Sequence, residues 1–433
     1  MVESVWGVRR NLKRAIIPSG ALILVAVLVS CGGYSNPSSS TTTTPKVPPS
    51  KITKRVFLTN AFNSGSGGEV DILDAARDTF QGSNSSGTNV TTITNSVITV
   101  NQGASLIVLT PDKTFTLVFE STGNTVSIIT NATEALAGSI TLPGATESMV
   151  IGTDNKTVYA AMRNAPTAVT GGPLGSIGII DLTGQDLSST INIAEVHRIV
   201  MSHNGNKLLA FSDDSDALTV VDTTASPKTT TTVTGFDRPV WGVFNSDDSK
   251  AYILSCGPEC GGTAAKVTVL DMASLTPGAS IPVSAATMGL LDGSNLYVAG
   301  TGAGGGKLDV IDTGAFKVSK SGVSISDGYH TLMALASNNQ LYIGAKACSG
   351  TSSCLSIYKT SSQSASVVPV VCSTVSTANN CAGDVTGLQP ITGRNIVYVV
   401  EGGELLIFDT TTGKPQTTQI DIVGKAFDVK AID

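Results

Sequence analysis

Histidine is scarce in this chain, three residues in 433, so few side chains can move a proton near neutral pH. Two of them, His197 and His330, fall at one position of a repeating unit when the repeats are laid over one another without gaps. The same position holds Ser105, Glu147, Val240, Ala285 and Thr386 in other repeats, with Arg198, Asp237, Arg238, Trp241, Tyr329 and Asp384 close by. Imidazole, carboxylate and guanidinium gathered in one place can bind a small anionic or sugar-like ligand, or serve as acid, base and anion clamp. His197, His330 and Glu147 together could also hold a metal. A wet rim that tolerates any polar side chain would look the same, and neither a catalytic residue nor a metal or cofactor is assigned. His203 sits in a polar turn elsewhere, and Asp213, Asp214 and Asp216 lack the glycine and distal glutamate of a calcium loop.

Cysteine is the other reactive type. Cys31 stands alone, and the remaining six form three close pairs, Cys256 with Cys260, Cys348 with Cys354 and Cys372 with Cys381. Outside the cytoplasm such an even set is expected to form disulfides; Cys-Gly-Pro-Glu-Cys is only superficially like a metal ligand set.

The elements that must position these residues are strands. A branched aliphatic, any residue, two more apolar residues and usually Asp recur at Val70, Val126, Ile177, Leu218, Val267, Leu308, Leu355 and Leu405, with starts 56, 51, 41, 49, 41, 47 and 50 residues apart. Each copy follows a second apolar strand, such as Leu296-Tyr297-Val298 or Val397-Tyr398-Val399, itself preceded by a tight polar turn such as Thr110-Pro111-Asp112-Lys113. This period belongs to four-stranded propeller blades rather than helical solenoids. Abundant glycine, 14% charged and 5% aromatic residues suit many short strands joined by turns. We name the strands of a unit A to D, with the two recurring ones as B and C. The terminal Asp of C, present in six of eight copies, is expected to cap the following turn.

The pattern resembles the YVTN (YncE-like) family of propeller repeats, in which a Ser-Pro-Asp-Gly turn, a Leu-Tyr-Val strand and a Val-Ile-Asp strand repeat around an axis. The resemblance spans residues 54–433 and implies an all-β fold, a single β-propeller with eight blades. Seven is the alternative, in which case the long first unit would be lost. The chain enters on a B strand at Arg55 and ends on residues 426–432, which read as an A strand; that strand is expected to complete the first blade and close the ring. All three cysteine pairs fall in B–C or D–A connections, as do the long inserts at 162–176 and 300–306. One face is therefore expected to be decorated and the other plain.

The N-terminus reads as a targeting signal. Arg9, Arg10, Lys13 and Arg14 precede an apolar stretch of about sixteen residues, short of the roughly twenty needed to span a bilayer. Leu28-Val29-Ser30-Cys31 resembles the lipobox of bacterial lipoproteins, which implies cleavage after residue 30 and acylation of Cys31. Residues 31–53, rich in Ser, Thr and Pro, form the expected flexible tether to the domain at 54–433. The lipid bilayer is then a partner, and Gly32 tilts the expected address toward an outer membrane. A net charge of −6 without a basic patch argues against nucleic acid. The function expected is a monomeric, membrane-tethered module that binds an envelope protein, peptide or glycan. The alternative is a lactonase- or lyase-like propeller enzyme working at the channel mouth.

Overall fold

A computed structural model describes residues 48–61, 67–80, 97–167, 172–349, 353–369, 383–416, 420, 422 and 424–433. Eight antiparallel sheets are built in sequence order, each with strand neighbours A-B-C-D. The blades occupy residues 55–100 together with 426–431 (I), 104–141 (II), 148–192 (III), 196–234 (IV), 239–282 (V), 288–325 (VI), 329–367 (VII) and 385–415 (VIII). The domain is a β-propeller of eight blades, and the first unit is kept.

Why the B and C strands are apolar at successive positions follows from where their two faces go. Eight apolar clusters lie between neighbouring blades, one per interface, and alternate residues of one strand enter different clusters. Tyr342 packs toward blade VIII while Leu341 and Ile343 pack toward blade VI. A strand buried on both faces must be apolar throughout, which erases the alternation of a one-sided sheet. The outer D strands face water instead. Thr229–Thr234 has one buried residue in six.

The local chemistry of the turns is regular. All six C-strand aspartates accept a hydrogen bond from a backbone N–H two residues on: Asp74 from Ala76, Asp181 from Thr183, Asp222 from Thr224, Asp271 from Ala273, Asp312 from Gly314 and Asp409 from Thr411. These are Asx turns, the capping role expected from the sequence. A left-handed residue also stands in C–D turns, at Gln185, Leu275 and Phe316 after an aspartate and at Gln363 after Lys359, while blade VIII supplies Gly413.

Ring closure joins the first and last described strands. Strand A of blade I, Ala426–Ala431, pairs with Arg55–Asn60, bringing Val56 opposite Ala431. Arg55 donates from Nε to Asp433 Oδ2 (2.8 Å) and from Nη2 to Asp433 Oδ1 (2.7 Å). Its Nη1 reaches the Asn131 carbonyl (2.6 Å) and Glu134 Oε1 (3.1 Å) in blade II. Burial alone would raise the Asp433 carboxyl, but the Arg55 hydrogen bonds and charge hold it below the usual range. Ser50 donates its backbone N–H to Glu134 at 2.7 Å, and Ile52 is 3% exposed, so the chain is already packed before the first strand starts. At the other seam Arg394 forks onto Asp78, which also accepts from the Tyr398 hydroxyl at 2.7 Å.

Two details depart from expectation. The D strand of blade I is split: Thr79–Phe80 pairs with Leu73 and Asp74, and Val97–Val100 pairs with Gly68 to Asp71. The glycine-rich run at 300–306 is no loop insert, because Asn295–Gly302 and Gly305–Asp312 continue as one long hairpin through it. Residues 1–47, with the expected signal, Cys31 and most of the tether, lie outside the described residues, as do Cys372 and Cys381.

Candidate functional site

The mouth of the channel is shaped by β-bulges near the start of the A strands. Pairing skips one residue between Val196 and Arg198, Pro239 and Trp241, His330 and Leu332, and Val385 and Gly387. The residues before the bulge, Val196, Pro239, His330 and Val385, are buried. The skipped ones are His197, Val240, Thr331 and Thr386. A bulge re-aims the side chain it displaces, and here Thr386 and Thr331 line the channel while His197 and Val240 line a cavity beside it. The gapless overlay is therefore one residue out of step in blade VII, where Thr331, not His330, matches His197.

His330 is 0% exposed. Burial pushes its pKa down to about 4, and the Ser326 backbone and the Asp327 charge, which favour the protonated ring, do not offset this. It is a core histidine, remote in role from His197. The metal alternative built on both of them loses its geometry. No group of three or more His, Cys, Asp or Glu side chains among the described residues is placed to hold an ion.

The residues that do meet form a polar relay across blades III and IV. Arg163 Nη2 lies 2.7 Å from Asp213 Oδ2, Asp213 Oδ1 lies 3.1 Å from His197 Nδ1, and His197 Nε2 lies 3.5 Å from Glu147 Oε2. The His197 hydrogen bond, joined by the charges of Lys346 and Arg198, holds Glu147 well below the usual carboxylate range. Its side chain is 68% exposed, so solvent screens this pairing and it adds little stability. The Arg198 guanidinium carbon stands 5.6 Å from the centre of the Trp241 ring, whose Nε1 donates to the Gly289 carbonyl at 3.2 Å. That stacking holds the cation in place without neutralising it.

Tyr329 completes the group. Burial raises its hydroxyl, and Arg198, Glu259, Asp213 and Glu147 all act on it electrostatically. Glu259 escaped the sequence reading. It belongs to the short turn Gly257–Cys260, closed by the Cys256–Cys260 disulfide, and accepts from the Thr301 N–H at 2.7 Å. Burial pushes its pKa up to about 7. The only signal was the Glu inside Cys-Gly-Pro-Glu-Cys, which reads as loop filler until the fold turns it inward.

Other expected residues serve the loops. Asp237 accepts from the N–H groups of Thr263 and Ala264 and thereby shapes the B–C loop of blade V. Asp384 accepts from the Ala347 N–H at 2.7 Å, tying blade VII to blade VIII. Arg238 pairs with Asp214 at 3.1 Å and forms one wall of a cavity of about 300 Å³ shared with His197, Glu259 and Tyr329. His203, in the A–B turn of blade IV, lies 2.7 Å from Asp248 in the matching turn of blade V. Cys348–Cys354 is the second disulfide among the described residues, and both bridges span B–C connections.

Behind the relay a cavity of about 420 Å³ occupies the channel. Glu147, Arg198, Lys346, Lys425, Lys430 and Asp428 supply its charges, and Leu106, Phe119, Leu332 and Phe427 its apolar wall. Asp428 accepts from the Ile107 N–H at 3.0 Å and lies 3.6 Å from Lys430 Nζ. The other three cations form no ion pair among the described residues.

No family model matches the chain, and no curated protein matches it. Solved structures do. One described as "Dihydro-heme d1 dehydrogenase NirN in complex with DHE" superposes with a TM-score of 0.63 at 13% identity, covering 87% of this chain and 75% of that one. "Structure of Dos1 propeller" gives a TM-score of 0.58 at 10% identity, covering 75% of this chain and 85% of that one. The beta-propeller domain of Cps50 (Swd1) from Myceliophteria thermophila gives 0.50 at 10% identity, over 69% and 94%. At such identities the likeness is one of fold, and the fold they share with this chain is the β-propeller.

Proposed function

We propose that this chain is a lipid-anchored, extracytoplasmic β-propeller of the YVTN type that acts as a binding module, taking its ligand at the channel mouth. The carrying observation is the convergence of Arg198, Lys346, Tyr329 and the His197 relay, drawn from non-adjacent blades, on one rim beside an open cavity. Disulfide-stapled loops on the same face stiffen the rim and reduce the ordering cost of binding. The lipobox-like Leu28-Val29-Ser30-Cys31 and the Ser/Thr/Pro-rich tether support display at a bacterial envelope, with an outer membrane favoured.

The lactonase- or lyase-like reading rests on the His197–Asp213 pair, the shorter of the two imidazole–carboxylate contacts that His197 makes at the mouth. It is the weaker reading because both ring nitrogens face carboxylates, leaving none directed at a substrate. A thermal-shift panel of small carboxylates, phosphates and neutral sugars separates the two. A ligand that raises the melting midpoint of the wild type but not of Arg198→Gln, and is recovered unchanged, supports the binding module; its conversion to product with loss in His197→Gln supports the enzyme. Radiolabelled fatty acid incorporated by wild type and not by Cys31→Ser tests the anchor.

A further inference from the structure

We infer that the ligand of the channel is an anionic amphiphile, a carboxylate on an aromatic or aliphatic body, held head-up at the mouth with its apolar part inside. This rests on the reading of the mouth as a binding site and adds the ligand class.

The argument comes from the order of residues along the channel. Lys346 pairs with Tyr329 on the first rung of blade VII, and Lys425 immediately precedes strand A of blade I, so both stand at the rim. Arg198, the third residue of its strand and the first paired after the bulge, stacks on Trp241 just beside them. Among the residues that line this cavity, one carboxylate, Glu147, shares the rim with them, and it already faces His197. Counted over the lining of this cavity, its rim therefore carries three cations against one engaged anion, a local excess of positive charge that a ligand's counter-charge can meet.

A step further in, the wall changes character. Leu106 sits in the bulge between Ala104 and Ile107, Leu332 pairs with Gly344 beyond the bulge of blade VII, and Phe427 is the second residue of its strand. All three are partly exposed, and they are exposed to the cavity. Partial exposure of large apolar side chains inside a protein leaves surface that a ligand can cover. Deeper still, Lys430, opposite Phe57, is matched by Asp428 at 3.6 Å, so the floor offers no net charge for a second anion. Charge at the rim, apolar belt below it and a neutral floor fit one acidic end and one greasy end. The volume of about 420 Å³ lies within the roughly 300–1,000 Å³ of small-molecule pockets.

The test is calorimetric titration of the purified full chain with three probes: 2-naphthoate, its neutral counterpart 2-naphthamide, and inorganic phosphate. Expected are saturable binding of naphthoate, affinity at least 10-fold lower for the amide, and no binding of phosphate at the same concentration. Lys346→Gln and Lys425→Gln, both at the surface, should each weaken naphthoate about 3- to 10-fold and leave the amide unchanged, whereas Phe427→Ala should weaken naphthoate and amide alike. Equal affinity for acid and amide would overturn the anionic head, and phosphate binding as tightly as naphthoate would overturn the apolar belt; either leaves the channel mouth a binding site. If none of the probes binds while another ligand acts through Arg198, this inference alone fails. If no ligand acts through Arg198, both readings fail.

Discussion

Buried ionisable residues set opposing pH responses in this fold. His330, fully buried, has a folded pKa near 4 against 6.5 in an unfolded chain, so its contribution is complete above pH 6.5 and is lost as pH falls through 4. Asp71, 2% exposed, is pushed by burial up to about 7 from 3.8, aided by the Glu69 charge and opposed by the Asn60 hydrogen bond. Its contribution is complete below 3.8 and is lost as pH rises through 7. The two windows overlap, and the slopes cancel in part. His330→Leu should make stability fall more steeply with rising pH between 4 and 6.5 than in wild type, and Asp71→Asn should do the reverse over 4 to 7. Urea midpoints measured across that range check both; parallel curves for wild type and variants would refute the assignment. The same histidine shows where sequence reading stops. A one-residue bulge is decided by cross-strand pairing, and nothing in Tyr329-His330-Thr331 announces which of the three is skipped.

At the scale of the blade, more was legible, because the determining contacts are local. The six capping aspartates bond to amides two residues away, so the Val-x-Ile-Asp signature carries its own explanation. The cysteine pairs at 256/260 and 348/354 could be read for the same reason, since four- and six-residue separations leave little choice of partner. The extended hairpin of blade VI escaped, as glycine usually signals loop, and here Gly306 lies so close to the Ser326 carbonyl that a Cβ could not fit. Asp312→Ala should cost about 1 kcal/mol by freeing the Gly314 and Ala315 amides, while Asp312→Asn, which keeps an acceptor, should cost less. Thermal or urea unfolding of the pair checks the ranking, and equal losses would assign the effect to charge instead.

For the whole molecule the decisive elements are the seams. The ring was anticipated from the period and from an A strand placed last, but the clamp that locks it was not, since Ser50, Arg55, Glu134 and Asp433 are scattered over the sequence and only closure brings them together. The Glu134 side chain is 1% exposed. Arg55→Met strands this carboxylate with Ser50 as its remaining polar support, and breaking such a pair costs about 3–5 kcal/mol. Adding Glu134→Gln should restore a large part of that loss, which denaturant titration of single and double variants will show; a double variant no better than the single would mean that Glu134 tolerates solitude. Asp433, held low by Arg55, adds a contribution present at neutral pH and lost as pH drops below about 4.

Blade I borrows its innermost strand from the far end of the chain, and 375 residues separate Val56 from its partner Ala431. Until that strand arrives, Val56-Phe57-Leu58 presents a bare hydrogen-bonding edge, and seven finished blades cannot satisfy it. A polypeptide whose synthesis or export stalls anywhere short of residue 426 is thus left sticky and open, a target for proteases or for its own kind. Completion of the ring works as a length check: only a chain extended through residue 431 covers that edge.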